Sequence, residues 1–518
     1  MGLWSVYFFA KFLLYALGYM DFNPWLNLAF AVFTALTPKN ARQRFAKNLI
    51  AVPVGIVLLY HDSWLPPMVQ AMSQLQNLRA FSAAYLWELA GRLVSWKLLL
   101  ELAAILALYA LARRKLRMST FVFIGIIAIM ILPHGPWWPG AVPGPAAISR
   151  APAGPAMSGM DTSTEALDSH LAQFYSAQKR VQIRFSRPPA EDVPYDILML
   201  HVCSLSWDDL KTAQIAPDTF FGRFDVVLSN FNAAASYSGP AAIRLLRGAC
   251  GQTPESKLYD RAAGECLVMD GLQNAGFEPH WLMNHDGHFG NFFGDVRDRG
   301  GLSVPLENIV GATPAQQSFD NTPIYSDYSV LSRWWARRQA NQAPRIALYY
   351  NTISLHDGNR VLGPGRADSS YGARLAQFTS DVGRFFGDLR KSGRRVIVVV
   401  IAEHGAALGG DRRQISGLRE IPTAAIAHVP VAIAFVNAPG AQQRPQQKLD
   451  TSVSYPAVIE LLSRFIANSP FDQPGSSLDT YVQGLPQSGF VAENNGTTVM
   501  EAGGRYMMRS PDGAWSTL

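Results

Sequence analysis

Charge is scarce in this chain. Asp, Glu, Lys and Arg make up 16% of its 518 residues, against about 25% in an ordinary soluble domain, while 48% are hydrophobic. A sizeable stretch must therefore avoid water. The small basic excess, a formal +6, is confined to the N-terminal quarter. Residues 1–134 hold twelve Lys and Arg against four Asp and Glu, and the rest of the chain is slightly acidic. A basic nucleic-acid groove on the larger part is thereby excluded, and 11% aromatics exclude a disordered chain. Long uninterrupted apolar runs are missing too: none reaches the ~18 residues that identify a membrane span on its own. No small-residue cleavage pattern follows the first apolar run, so it does not read as a removed signal peptide. There is no internal repeat, and cysteine occurs three times. The length allows two or three folding units.

What is present begins with five apolar runs: Phe12–Met20, Phe22–Thr37, Leu49–Tyr60, Leu98–Ala112 (with Glu101 inside it) and Met118–Leu132. Charge orders them. Lys39, Arg42, Arg44 and Lys47 separate the second run from the third, and Arg113, Arg114, Lys115 and Arg117 the fourth from the fifth. The connection His61–Trp96 carries Asp62, Arg79, Glu88 and Arg92, which cancel. Basic loops stay cytoplasmic, so one topology satisfies every loop: five crossings, N-terminus inside, everything after Leu132 outside. Trp64, Trp96, Trp137 and Trp138 fall near the expected boundaries, as interfacial indoles do. Residues 1–134 thus read as a transmembrane anchor of about five helices. Residues 135–160, rich in Pro, Gly and Ala, read as an extended linker, and residues 161–518 as a separate domain.

That domain alternates short apolar runs with helical segments, the pattern of an α/β/α fold with a mostly parallel central sheet. Candidate strands are Asp196–Val202, Phe224–Leu228, Glu278–Met283, Arg345–Tyr350, Arg395–Ile401 and Val429–Val436. Several are continuous Val, Ile and Leu, as strands buried on both faces are. Helices are expected over Pro240–Gly248, Ser329–Gln339, Ala373–Lys391 and Ser452–Phe465. Such sheets place their chemistry at the carboxyl ends of strands.

Three strand ends hold reactive residues. The first ends in His201-Val202-Cys203-Ser204, the second leads to Ser236-Tyr237-Ser238-Gly239-Pro240, and a later one ends in Ala402-Glu403-His404-Gly405. Cys, Glu and His are zinc ligand types, supplied here by separate strands instead of a compact finger. Ser238 precedes Gly-Pro and an apolar helix, which puts it at a helix N-terminus where amide dipoles favour an anion. A serine facing a metal there is a candidate nucleophile for phosphoryl transfer. The plainer readings are a core thiol for Cys203 and an ordinary helix cap for Ser238. His356 follows the strand Arg345–Tyr350 and is placed to donate to a phosphate or protonate a leaving group. Arg419 follows the Glu403-His404 turn and is placed to clamp phosphate. His280, His285, Asp286 and His288 form a competing metal cluster, read here as a rim loop. Cys250 and Cys266 enclose a polar segment they could close at ~3 kcal/mol, leaving Cys203 odd; pairing of Cys203 with either stays open.

The combination resembles the alkaline-phosphatase superfamily, and within it the membrane-anchored phosphoethanolamine transferases. Those relatives use an acidic ligand after the first strand, a Thr or Ser nucleophile at a helix start and a late Asp-His-Gly pair. Here Cys203 stands at the first-ligand position and Glu403-His404-Gly405 in place of Asp-His-Gly. This departure is similar to the G-subunit family of the bacterial cellulose-synthase system, along with HVCSLSWDD, ASYSGPA, TISLHDGNR and AEHGAALGGD. The resemblance implies an inner-membrane enzyme with a periplasmic catalytic domain. It implies transfer of phosphoethanolamine from phosphatidylethanolamine to cellulose hydroxyls through a covalent intermediate on Ser238, with cellulose-synthase subunits as partners. It also implies zinc held at Cys203, Ser238, Glu403 and His404, and catalytic importance for Tyr237, His356 and Arg419. A sulfatase-like hydrolase is disfavoured, because Ser238-Gly239-Pro240-Ala241-Ala242 lacks that family's Arg. The non-enzymatic rival is a scaffold subunit of a polysaccharide-secretion complex.

Overall fold

The structure is a computed structural model. It describes the chain apart from residues 3, 17–19, 39, 64–80, 94–99, 101, 102, 105, 106, 108, 114, 132–161, 364–369, 412, 440–444 and 472–477. Two compact units result: Met1–Ala147 with Gly410–Ile415, and Ile148–Gly409 with Ser416–Leu518.

In the first unit, helices Trp4–Ala16, Pro24–Ala35, Ala41–Asp62 and Met118–Ile131 share an apolar seam of Phe8, Phe22, Phe30, Ala51, Val122 and Ile126. Asn23 caps the second helix by accepting from the Leu26 amide, and Pro24 occupies its first turn, where a missing N–H costs nothing. A polar cluster interrupts the seam. Lys11 Nζ lies 2.5 Å from Asp62 Oδ2 and 2.8 Å from Asn27 Oδ1, and Asn27 Nδ2 donates to the same Asp62 oxygen at 2.6 Å. Among the described residues, Ala41–Asp62 is the one helix long and apolar enough to cross a membrane; Trp4–Ala16, Pro24–Ala35 and Met118–Ile131 are shorter apolar helices. Five crossings are therefore more than the described helices display. The whole linker 135–160, part of the run Leu98–Ala112, and Lys39, Trp64, Arg79, Trp96, Glu101, Arg114, Trp137 and Trp138 lie outside the described residues. A further helix, Ala83–Leu93, lies where only a connection was expected.

The strands of the second unit, in chain order, are β1 (Asp196–Cys203), β2 (Val226–Asn232), β3 (Glu278–Met283), β4 (Pro314–Gln317), β5 (Pro323–Tyr325), β6 (Ile346–Thr352), β7 (Arg360–Val361), β8 (Val396–His404), β9 (His428–Val436), β10 (Gln447–Leu449), β11 (Val491–Asn494), β12 (Thr497–Ala502), β13 (Arg505–Arg509) and β14 (Trp515–Thr517). The main sheet has the order β10-β2-β9-β8-β1-β6-β3. Every pair in it is parallel except those of β9, which runs against both β2 and β8. Among the described residues the connection 405–427 holds one short helix, Ala424–Ala427, and β9 starts at the end where β8 stops and returns antiparallel. Every residue of β1, β6 and β8 is buried, which is why these strands are nearly all apolar.

Asp196 anchors the far end of β1. Its buried carboxylate takes bidentate contacts from Arg338 (2.9 and 3.0 Å), and a second guanidinium, that of Arg394, completes the cage. Two smaller sheets complete the unit. One is β5-β4-β7, and the other is the C-terminal meander β11-β12-β13-β14. The meander braces the active-site end: Glu493 pairs with Arg244 at 3.1 Å and Asn494 donates to the Glu420 carbonyl at 3.0 Å.

Candidate active site

The carboxyl ends of β1 and β8 lie side by side, and a bulge between them sets the chemistry. Val202 pairs with Ala402, but Cys203 pairs with His404, so Glu403 is the extra residue. Consecutive strand residues normally face opposite ways; the bulge re-aims them. Glu403 and His404 thereby meet Cys203 in one place. Ser204 leaves β1 with φ 68°, a left-handed turn that is costly for a non-glycine residue and common at functional sites. Gly405 is required by close approach, since a Cβ there would lie 2.6 Å from Ser206 Oγ.

Ligand-type atoms of Cys203, Glu403 and His404 all lie within 4.8 Å of one another, and all three residues are buried. Ser238, the first residue of the helix Ser238–Leu246, forms the more exposed edge. Its Oγ lies 3.3 Å from Cys203 Sγ and 3.3 Å from His404 Nε2, and those two are 3.8 Å apart. His404 Nδ1 lies 2.9 Å from the Gly405 carbonyl and 3.1 Å from Arg419 Nη1, so Nε2 is the nitrogen that faces Cys203 and Ser238. Glu403 Oε1 accepts from Asn351 Nδ2, whereas Oε2 is buried with no hydrogen-bond partner.

Burial pushes the Cys203 thiol up to about 12, with the Glu403 charge adding to it, and raises the Glu403 carboxyl to about 7. Burial and then Arg419 hold His404 well below the usual imidazole range. Without a cation, the pocket thus opposes charge on all three groups. A sulfur, an oxygen and a nitrogen donor converging on one point, with an orphaned carboxylate oxygen among them, fit a divalent metal.

The surrounding groups suit an anion. Arg419 Nη1 contacts Ser204 Oγ at 3.3 Å, its guanidinium stacks 5.0 Å from the Tyr237 ring, and its Nε is buried without a partner. Tyr237 donates to Glu420 Oε1 at 2.7 Å, so its hydroxyl holds the Arg419 loop. The Tyr237 side chain does not cap the Ser238 helix. His356 places Nδ1 2.7 Å from the Asp357 carbonyl, leaving Nε2 as the open nitrogen, and burial followed by Arg419 lowers it to about 4.

Cys203, Ser238, Glu403, His404, Tyr237 and Arg419 are therefore brought together. The competing cluster is dispersed. His280 is taken up by Glu278 and Glu307, and His288 is exposed beside Asp286. Only His285 reaches the site, and indirectly: its Nε2 lies 2.8 Å from Asn351 Oδ1. Among the described residues, Cys203, Glu403 and His404 are the only metal-type group. Cys250 and Cys266 form a disulfide and Cys203 is free. Sequence reasoning missed Asn351, Glu420 and Asp209. Asp209 closes a capping box with Ser206 and accepts from the Ala406 amide at 2.7 Å, tying the β1 and β8 ends together. Its signal was present in Ser206-Trp207-Asp208-Asp209.

Residues 153–515 match the family described as cellulose biosynthesis protein BcsG C-terminal domain, and residues 4–131 match its N-terminal domain. The chain belongs to the BcsG family. Two curated BcsG proteins, from Salmonella typhimurium (strain LT2) and Escherichia coli (strain K12), are each 35% identical to it, over 99% of this chain and 95% of theirs. Among solved structures, an alkaline phosphatase superfamily protein from Vibrio parahaemolyticus is 14% identical, with a TM-score of 0.48 over 68% of this chain and 87% of that one. The C-terminal periplasmic domain of EptC from E. coli is 13% identical, with a TM-score of 0.42 over 60% and 94%. The BcsG C-terminal match covers every residue of the cluster around Ser238.

Proposed function

We propose that this BcsG-family chain is a phosphoethanolamine transferase that moves phosphoethanolamine from phosphatidylethanolamine to cellulose hydroxyls. The observation that carries the reading is the position of Ser238 Oγ, at an uncapped helix start and 3.3 Å from both Cys203 Sγ and His404 Nε2. Zinc is the metal that Cys203, Glu403 and His404 would hold with Ser238 beside it, and when bound it would lower the serine hydroxyl pKa and polarise a phosphoryl oxygen.

The chain's own residues supply the rest. Ser238 Oγ bonds to phosphorus as the bond to the glycerol oxygen breaks, and the serine proton passes through the open Nε2 of His356 to the departing diacylglycerol. The helix-start amides and Arg419 hold the phosphoryl oxygens. A sugar hydroxyl then bonds to phosphorus, the Ser238–phosphorus bond breaks, and the sugar's proton returns to Ser238. Tyr237 positions Arg419. Residues 1–134 would anchor the enzyme in the inner membrane through about five helices, near its lipid donor and its cellulose-synthase partners. Residues 135–160 would link that anchor to a periplasmic catalytic domain at 161–518.

The test is intact-mass measurement of the purified full chain in micelles containing phosphatidylethanolamine. A phosphoethanolamine adduct is expected on the wild type and none on Ser238→Ala. An adduct surviving in Ser238→Ala removes the serine from the mechanism, and its absence from both proteins favours a scaffold subunit.

A further inference from the structure

Gly239, the residue after the nucleophile, lies against a carboxylate. The segment Asp295–Arg299, a single wide π-type turn, runs alongside the helix Ser238–Leu246, with Asp295 at the helix start and Gly300 packed on Leu246 at its end. Turns of this kind concentrate at functional sites. Asp295 Oδ2 sits 2.7 Å from the point where a Cβ on residue 239 would lie, so glycine is what admits the carboxylate this closely.

Asp295 is half-buried, and among the described residues its carboxylate makes neither a hydrogen bond nor an ion pair. Arg299 is near enough for its charge to be felt, yet no ion pair forms. Asp295 does not act as a cap either, since the helix start has no side-chain cap. An acid without an ion-pair partner beside an anion-binding helix start opposes a phosphate unless the substrate brings a positive charge of its own.

We infer that Asp295 receives the ammonium group of the donor's ethanolamine, and so selects zwitterionic phosphodiesters over purely anionic ones. This rests on the transferase reading of the same site. The ammonium lies two carbons beyond the phosphate ester oxygen, and it has to reach the flank of Gly239 when phosphorus is at Ser238 Oγ. Ethanolamine stays on phosphorus when diacylglycerol leaves, so one contact serves both half-reactions.

The test compares kcat/KM of the full chain in micelles for 4-nitrophenyl phosphoethanolamine and for 4-nitrophenyl ethyl phosphate, a diester of similar size without the ammonium. The wild type is expected to prefer the first, and Asp295→Asn to shrink that preference roughly 10- to 100-fold, chiefly through KM, as loss of a charge-assisted contact does. Asp295→Glu should restore part of it. Equal losses on both esters would show a merely structural role and overturn the inference, as would a wild type with no preference. If neither ester is turned over in a Ser238-dependent way, the transferase reading itself fails and takes this one with it.

Discussion

Asn351 and Glu403 share a hydrogen bond at the floor of the site: the Asn351 amide nitrogen donates to Glu403 Oε1, at 2.5 Å. The amide is itself oriented. His285 accepts the Gly287 amide proton at Nδ1, so its Nε2–H points to Asn351 Oδ1 at 2.8 Å. This relay fixes which oxygen of Glu403 is satisfied and leaves Oε2 for a cation. Groups that orient a ligand are typically worth 10- to 100-fold in metal affinity. Asn351→Ala should therefore weaken zinc binding by roughly that factor, and His285→Ala by less, in chelator competition on the full chain. Unchanged affinity in Asn351→Ala would mean that Glu403 is placed by packing alone.

The Cys250–Cys266 disulfide joins the segment after the helix Ser238–Leu246 to the helical turn Gly264–Cys266, across a sequence separation of 16. Closing a loop of that size constrains the unfolded chain by ~3 kcal/mol. Replacing both cysteines by serine should lower the unfolding free energy of the catalytic unit by about that amount. Reductant should produce a similar loss in the wild type and none in the double variant, as read by denaturant unfolding. Ser238 adduct formation at low temperature should persist.

How far the chain's own residues disclosed these parts follows from where each one's constraint comes from. β1, β6 and β8 were legible because burial on both faces forces continuous Val, Ile and Leu. Cys203, Glu403 and His404 stood out because they end such runs, and Ser238 because it precedes Gly239-Pro240 and an apolar helix. The C-terminal meander went unread even though Asn495-Gly496 and Gly503-Gly504, all at positive φ, mark its hairpins. Asn351 and Glu420 had no local signal at all. Their roles exist only through partners 52 and 183 residues away in sequence. The bulge that gathers Glu403 and His404 is likewise a property of two strands together.

His280 offers a pH test remote from the metal-type residues. Burial alone would lower its pKa, but the carboxylates of Glu307 and Glu278 outweigh that and raise it, and the hydrogen bonds from His280 lower both carboxyls. The carboxylates are ionised above the ordinary glutamate range. The imidazolium persists until the pH rises through the raised His280 value. His280→Gln should therefore destabilise the catalytic unit more at about pH 6 than at about pH 9, by urea unfolding. An equal loss at both values would assign His280 to packing and to its contact with Trp334 Nε1, at 3.2 Å.

In the N-terminal unit, Lys11 and Asp62 are each 1% exposed and 2.5 Å apart, and Asn27 bridges them. They join the first, second and third apolar helices at one point. Polar groups inside apolar helix assemblies are costly unless paired, and removing one partner strands the other's charge. Lys11→Met alone should therefore destabilise the unit strongly, by ~3–5 kcal/mol if the seam stays dry. Lys11→Met combined with Asp62→Leu should recover much of that loss, because no buried charge is left uncompensated. The measurement is a double-mutant cycle on the full chain in detergent, with thermal unfolding as the readout. Additive losses would mean that the two residues are solvated independently and do not act as one clamp.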